Sequence, residues 1–183
     1  AVADCGAGVG RVTRVVLAEL FDDVTLVEPV QHLLDQAKSE LQTPLGERGR
    51  RLQFEYMGLQ DWQPAERSLD CVWIQWCIGH LTDADLVAFF SRVARALRPG
   101  GRVVLKENNC RRGFVVDKED SSVTRSHAYF LQLFEASGFD VLAQEVQRDF
   151  PQELFTVRMY SLAPAAGGGA SKPRKRKGGP TML

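Results

Sequence analysis

Short apolar runs alternate with longer amphipathic segments along most of the chain. Five short runs are rich in apolar residues and resemble buried strands: AVADC, VTLVE, LQFEYM, LDCVWIQW and RVVLKEN. Four segments repeat apolar residues at helical spacing: Arg11 to Leu20, Gln31 to Leu41, Asp83 to Leu97 and Ser126 to Ser137. This alternation predicts an α/β architecture in which crossover helices join parallel strands.

The pattern changes near the end of the chain. LRPGG, at Leu97 to Gly101, is expected to end a helix and lead into the next strand, because proline cannot continue a helix and glycine accepts a positive φ. After Gly138, two strand-like runs, Asp140 to Gln147 and Phe155 to Leu162, follow each other without a long helix. They predict an antiparallel hairpin that closes the sheet edge.

The composition fits one intracellular domain. The 183 residues are 44% hydrophobic, which suffices for one packed core but not comfortably for two. The four cysteines lie far apart without a CxxC pair, which favours reduced thiols over disulfides or a metal site. No apolar run approaches the roughly 20 residues of a membrane span, and no signal peptide is apparent. We therefore expect no metal and no membrane partner.

Charge is distributed unevenly along the chain. All 23 acidic residues lie before Pro164, whereas five of the 23 basic residues lie in the last 20, so residues 1–163 carry a net charge of −5. The last 20 residues lack apolar periodicity and contain a basic cluster from Lys172 to Lys177. We predict a domain over residues 1–163 and a disordered basic tail over 164–183. The cluster resembles a nuclear import signal, which predicts a protein of nucleus and cytoplasm; the alternative is a solvated tail.

A glycine-rich turn follows the first predicted strand. In DCGAGVGR, Gly6, Gly8 and Gly10 precede the first predicted helix, where glycine lets the backbone turn tightly and approach a ligand. Glu28 ends the next strand, eighteen residues after Gly10. That is close to the roughly 20-residue interval at which an acidic side chain accepts the ribose hydroxyls of an adenosine cofactor. A structural glycine turn and a solvated glutamate are the alternatives.

The spacing of the glycines narrows the choice of cofactor. The turn has the form GxGxG rather than the GxGxxG of pyrophosphate-binding folds, and no P-loop lysine follows it. A cofactor without phosphates therefore fits better. GLQDW, at Gly58 to Trp62, follows the third predicted strand, where amide groups could bind an adenine edge.

Three stretches resemble a known family: DCGAGVGR, WIQWCIGHLTD and VVDKEDSSVTR. Together they resemble the alpha-N-terminal protein methyltransferases, which methylate the free amine of N-terminal Xaa-Pro-Lys sequences, and the likeness covers Ala1 to about Ala163. It implies a class I methyltransferase with a doubly wound, mostly parallel, seven-stranded Rossmann-like sheet whose last strand is antiparallel. It also implies S-adenosyl-L-methionine as cofactor, S-adenosyl-L-homocysteine as product, and protein substrates with exposed Xaa-Pro-Lys N-termini.

The resemblance further implies roles for individual residues. The residues expected to hold the cofactor are Gly6, Gly8, Arg11, Glu28, Pro29, Val30, Leu59, Gln60 and Gln75. The residues expected to hold the peptide are Trp76 at its proline, Asn108 at its first residue, and Asp117 and Ser122 at its lysine. His80 and Asp120 are expected to be the proton acceptors.

The placement of His80 agrees with such a role. It follows the fourth predicted strand, at the edge where open α/β sheets bind ligands. Methyl transfer from a sulfonium is a one-step displacement, so the amine must arrive neutral and aligned, and a histidine or nearby aspartate suffices as acceptor. The alternatives are a helix-entry histidine and, for DKED at Asp117 to Asp120, a solvated charge run. We expect Trp73 in the core and Trp76 on a pocket wall.

The sequence departs from the family pattern at two places. The chain begins without methionine, directly on the first predicted strand, which predicts a fragment that lacks the helices preceding this strand in the family. We expect such a fragment to form the sheet but to methylate peptides weakly or not at all. Phe155 stands where a tyrosine is expected, which would remove a hydroxyl contact to the peptide.

The sequence leaves two alternative functions open. Another class I protein or small-molecule methyltransferase would share the cofactor motifs but has no need of GHLTD together with DKEDSS. A nucleic-acid-binding module is disfavoured, because an acidic body repels phosphates.

Overall fold

The computed structural model describes residues 1–151 and 153–166. Most of the predicted tail, including the basic cluster from Lys172 to Lys177, lies outside the described residues, and nuclear import stays a prediction from the sequence. In the part of the chain that the structure describes, no helix is long and apolar enough to span a membrane.

Strands and helices alternate over residues 1–109, except at residues 51–75, where two strands follow each other. The strands are β1 (Val2–Cys5), β2 (Asp23–Val27), β3 (Arg51–Glu55), β4 (Leu69–Gln75), β5 (Leu97–Asn109), β6 (Phe114–Asp117), β7 (Ser122–Arg125), β8 (Phe139–Val146) and β9 (Thr156–Pro164). The helices are α1 (residues 11–20), α2 (Gln31–Glu47), α3 (Asp83–Ala96) and α4 (His127–Ala136), and a 3₁₀ turn spans Ile78–His80. Within α1, the hydrogen bonding is π-helical over Thr13–Leu17 and α-helical over Ala18–Leu20.

Seven strands form one sheet in the order β3-β2-β1-β4-β5-β9-β8. The first five are parallel, and β9 runs antiparallel to both β5 and β8. One buried apolar cluster packs α1 and α2 on one face, and a second packs α3 and α4 on the other. The predicted doubly wound, mostly parallel fold with an antiparallel last strand is confirmed.

The register of the central strands brings their carboxyl ends together. Cys5 of β1 lies beside Ile74 of β4, and Gln75 lies beside Lys106 of β5. Ligands of open α/β sheets bind at this edge. The glycine turn, the segment after β4 and the end of β5 therefore surround one region.

The boundary between α3 and β5 lies close to its predicted position. The helix ends at Ala96, and Gly100 adopts a φ of 85°, which glycine tolerates without a Cβ clash. β5 begins at Leu97, five residues before the predicted strand RVVLKEN, because Leu97 already pairs with Leu69 of β4. The pairing register shifts between Leu69 and Cys71, which accommodates the turn of β5 within the strand pair.

The sequence prediction missed a second, two-stranded sheet. The stretch around VVDKEDSSVTR, for which the sequence predicted no strands, forms the antiparallel hairpin β6–β7. The chain turns between the two strands at residues 118–121. The hairpin is attached to the domain at both ends, since the Phe114 ring packs edge-on against Tyr129 at 6.0 Å and Arg125 is fully buried. It projects the acidic turn beside the end of β5.

Candidate active site

A cleft of about 670 Å³ opens at the carboxyl ends of β1 and β4. Among the residues predicted to hold the cofactor, it is lined by Gly6, Gly8, Arg11 and Gln75. Trp76, which was predicted for the peptide, also lines it, and so does Trp73, which is half-buried rather than enclosed in the core. The π-helical part of α1 supplies an apolar wall through Val15 and Val16, and π-bulges are frequent at functional sites.

The glycine turn is closely packed at Gly6 and open at Gly8. Gly6 has a φ of 68°, and a Cβ there would lie 2.4 Å from Cys77 Cβ, so only glycine fits. Gly8 has a φ of 54°, and no atom lies within 4 Å of the place its Cβ would take. The backbone at Gly8 is therefore exposed to a ligand in the cleft.

Glu28 connects the glycine turn to the end of β2. Its buried carboxylate accepts hydrogen bonds from the backbone N–H of Gly8 at 2.8 Å and of Val30 at 3.0 Å. Each oxygen of a carboxylate has a second lone-pair direction, so two hydroxyls can still donate to it. The open turn and this acceptor fit an adenosine-containing cofactor such as S-adenosylmethionine. Pro29 and Val30 lie at the surface beside it.

Replacing Glu28 by alanine is expected to weaken S-adenosylmethionine binding about 10- to 100-fold, since paired hydrogen bonds to a carboxylate are lost and the Gly8 turn loses its support. Isothermal titration calorimetry measures the effect, and Glu47→Ala, an exposed position at the end of α2, is the matched control. Equal affinity in the two variants would contradict the assignment of Glu28 to the ribose.

Asp4 is a site residue that the sequence analysis did not identify. It lines the cofactor cleft and accepts hydrogen bonds from the backbone N–H and the hydroxyl of Thr13 at 3.2 and 2.7 Å. Burial raises the pKa of Asp4 to about 6, although the Thr13 bonds lower it. The signal in the sequence is an acidic residue in an otherwise buried strand, directly before the glycine turn, since isolated buried carboxylates are rare.

Leu59 and Gln60 do not line the cofactor cleft. Leu59 is buried in the core, and Gln60 is exposed. Arg92 of α3 holds this turn by donating to the carbonyl oxygens of Leu59, Gln60 and Trp62 at 2.8 to 2.9 Å. These hydrogen bonds hold the turn, but the structure does not bring its two predicted cofactor residues to the cleft wall.

Trp76 adopts a backbone conformation that is rare for a large side chain. Its φ is 53°, and its side chain is 43% exposed. The Trp76 N–H donates to the carbonyl of Lys106 at 3.1 Å, and the Lys106 ammonium lies 4.8 Å from the ring centroid. Strained residues of this kind concentrate at functional sites. β5 thus holds the indole at the mouth of the cleft.

A second cleft, of about 630 Å³, lies between the end of β5 and the hairpin. The predicted site residues that line it are Asn108, Asp117, Asp120 and Ser122, together with Phe155. The Asp120 carboxylate accepts the Ser122 N–H at 3.0 Å, which holds the acidic turn in shape. Asn108 of β5 and three predicted residues of the VVDKEDSSVTR motif therefore surround one acidic cleft.

His80 ends the 3₁₀ turn that packs against this hairpin. A Cβ at Gly79 would lie 3.3 Å from the carbonyl oxygen of Val123 and 3.7 Å from the Ser122 side chain, so any other residue would displace the hairpin by a few tenths of an ångström. The His80 imidazole is exposed and is not part of either cleft wall. The turn nevertheless places it next to the strand that follows Asp120.

A buried ion pair fixes the hairpin to this turn. Arg125 donates to the Asp83 carboxylate at 2.8 Å and to the Leu81 carbonyl at 2.7 Å, and both side chains of the pair are fully buried. The Tyr129 hydroxyl donates to the other oxygen of Asp83. No motif in the sequence indicates this network, which sets the position of β7 relative to His80. Within the described residues, no cluster of His, Cys, Asp or Glu could hold a metal ion.

Comparisons with known proteins agree with the motifs. The profile of the family described as AdoMet dependent proline di-methyltransferase matches residues 1–163. The alpha N-terminal protein methyltransferase 1 of Arabidopsis thaliana is 47% identical over 159 residues, which are 87% of this chain and 58% of the plant protein. The N-terminal Xaa-Pro-Lys N-methyltransferase 1 of Bos taurus is 44% identical over 161 residues, 87% of this chain and 70% of the bovine protein. The chain thus spans little more than half the length of the plant relative.

Solved structures show the same fold. A SAM-dependent methyltransferase of Leishmania major is 40% identical with a TM-score of 0.81, over 88% of this chain and 63% of that one. The 1,6-didemethyltoxoflavin-N1-methyltransferase of Burkholderia thailandensis, solved with S-adenosylhomocysteine, has a TM-score of 0.73, over 90% of this chain and 71% of that one. Because it is only 20% identical, this similarity supports the fold alone. The family resemblance predicted from the three motifs is confirmed, and with it S-adenosylmethionine as the cofactor. The chain belongs to the family of AdoMet-dependent proline di-methyltransferases.

Proposed function

We propose that this protein transfers a methyl group from S-adenosylmethionine to the free α-amino group of proteins that begin Xaa-Pro-Lys. One observation carries the proposal: β5 connects the wall of the cofactor cleft with the wall of the acidic cleft. Trp76, on the wall of the first, hydrogen-bonds to Lys106, two residues before Asn108 on the wall of the second. A peptide end in the acidic cleft would therefore lie close to a methyl group in the cofactor cleft.

The charge of the second cleft favours a cationic peptide. Asp117, Glu119 and Asp120 line it, with Lys118 as the opposing charge. A protein N-terminus with lysine at its third position carries two positive charges, and an acidic body of net charge −5 attracts it at moderate salt. In this proposal Asp117 and Ser122 bind the lysine, and Asn108 binds the first residue.

The chemistry requires a neutral amine. The bound cofactor supplies an electrophilic methyl group on a sulfonium, and the protein contributes alignment and proton removal. An α-amine has a pKa of about 8, so its neutral form costs roughly 0.8 kcal/mol at pH 7.4, against roughly 4 kcal/mol for a lysine side chain. A weak base therefore suffices, and we assign this role to His80 and Asp120, which lie on adjoining elements. Trp76 packs against the substrate proline.

The test is methylation of a peptide that begins Ser-Pro-Lys. The protein, in the full length that its gene encodes, is incubated with S-adenosylmethionine, and mass spectrometry counts the methyl groups added. We expect methylation at the N-terminal nitrogen and none on the same peptide with an acetylated N-terminus, because an amide nitrogen is not nucleophilic. Ser-Ala-Lys is the control for the proline. Cofactor binding without methylation of any Ser-Pro-Lys peptide would contradict the proposal and favour another class I methyltransferase.

A further inference from the structure

Glu107 lies at the carboxyl end of β5 with only 7% of its surface exposed. Its Oε1 accepts the backbone N–H of Asn108 at 2.8 Å, whereas its Oε2 is buried without a hydrogen-bond partner among the described residues. Leaving a buried carboxylate oxygen unpaired is costly, and native proteins keep few such groups outside functional sites. The proposed transfer does not otherwise use this residue.

The groups around Glu107 do not neutralise it. Arg125 of β7 attracts the Glu107 carboxylate, but Arg125 already donates to Asp83. Cys77, which follows β4, is another neighbour of Glu107. Arg158 lies opposite Glu107 in the β5–β9 register, yet its Nε is buried without a partner among the described residues. Burial raises the pKa of Glu107 to about 7, although the backbone N–H groups of Asn108 and Ile78 and the charge of Arg125 lower it. The carboxyl group therefore titrates well above the range of an exposed glutamate.

Glu107 connects the two sides of the proposed reaction site. Asn108, whose N–H it accepts, lines the acidic cleft. Ile78, the other backbone N–H group that favours its charged form, begins the 3₁₀ turn that ends at His80. Arg125 also lies 3.4 Å from the Ile78 carbonyl, so the same turn is held from both directions. The Glu107 carboxylate thus lies between Asn108, which is assigned to the first residue of the peptide, and the turn that carries a base.

We propose that Glu107 is a positioning residue for methyl transfer, whose ionised carboxylate fixes Asn108 and the His80 turn relative to each other. The proposal rests on the proposed function, since it assigns a role within that same site. Protonation removes the negative charge that the Asn108 N–H bonds to and that the nearby Ile78 N–H favours, so the alignment weakens at acid pH. A displacement of about 1 Å in such a site lowers turnover by about 10²-fold.

Glu107→Gln keeps the shape of the side chain and removes its charge. We expect kcat on a Ser-Pro-Lys peptide to fall about 10- to 100-fold at pH 8.5, with the S-adenosylmethionine Kd within about threefold of wild type. Glu107→Asp, which restores the charge, is expected to recover part of the loss. Glu145→Gln, on the exposed edge strand β8, is the matched control and should change neither value.

Urea unfolding separates positioning from a structural role. Because the folded pKa lies above the ordinary value of 4.5, the protonated form stabilises the wild-type fold, and this stabilisation is lost as pH rises from about 4.5 through about 7. Relative to wild type, Glu107→Gln should therefore gain on the order of 10² in its folding equilibrium constant between pH 5 and pH 8.5. A variant that is less active yet more stable at pH 8.5 supports the proposal. Joint loss of activity and stability, or unchanged kcat, would overturn it.

Amide NMR tests the contact without an assay. In wild type, the ¹⁵N–¹H signals of Asn108 and Ile78 should titrate with a common midpoint near pH 7, and Glu107→Gln should abolish that titration. Separate midpoints, or titration that persists in the variant, would overturn the proposal. If wild type methylates no Xaa-Pro-Lys peptide, the proposed function fails, and the shared titration still decides whether Glu107 holds the two amides.

Discussion

Replacing both His80 and Asp120 by asparagine is expected to lower kcat on a Ser-Pro-Lys peptide by about 10² to 10⁴, the usual contribution of a general base. The ammonium form of the substrate has no lone pair for the displacement, so a group near the amine must accept its proton. Asp120→Asn keeps a side-chain oxygen that can still accept the Ser122 N–H. The loss would thus report the missing charge rather than a disordered turn.

Single-turnover kinetics measures the effect, and calorimetry should show cofactor affinity nearly unchanged, because neither residue lines the cofactor cleft. Asp117→Asn is the matched control on the same hairpin. It is expected to raise KM, since Asp117 is assigned to the substrate lysine, and to leave kcat nearly constant. A double variant that stays within about threefold of wild type would place proton acceptance elsewhere.

Replacing Arg125 by methionine is expected to destabilise the fold by about 3 to 5 kcal/mol, the largest effect on stability that we expect from a single substitution here. Methionine preserves most of the side-chain volume but leaves the fully buried Asp83 without its counter-charge. The carbonyl of Leu81 also loses its donor. Urea denaturation at pH 7.5 measures the change in the free energy of unfolding.

Two controls define the cause of that loss. Arg48→Met breaks the exposed pair of Arg48 with Glu19 and should cost less than about 1 kcal/mol. The double variant Arg125→Met with Asp83→Leu removes both charges and should recover a large part of the loss, since apolar replacements of buried pairs are often nearly neutral. A single variant that unfolds at the same urea concentration as Arg48→Met would contradict the role of the pair as the anchor of the hairpin.

The main sheet was predictable because burial on both faces produces continuous apolar runs. β1, β4 and the central part of β5 are buried at most positions, and their sequences show it directly. β6 was not predictable on that basis, since all four of its residues are exposed and no buried face produces an alternation. Its strand structure depends on pairing with β7, which the sequence alone does not reveal.

The candidate site was predictable where chemistry is concentrated in one short motif. The glycine turn and the acidic turn each contain their own signal, and the fold brings them to one edge. Arg125 was missed because its burial depends on Asp83, 42 residues away in the sequence. Glu107 looked like one of several polar residues that end a strand, and only tertiary packing shows that one of its oxygens is enclosed without a partner.

The position of β9 inside the sheet has a consequence for biosynthesis. β9 lies between β5 and β8, so these two strands have no partner along their facing edges until residues 156–164 have left the ribosome. Until then the nascent chain displays two open strand edges, which are templates for intermolecular pairing. The sheet can close only after β9 has been synthesised.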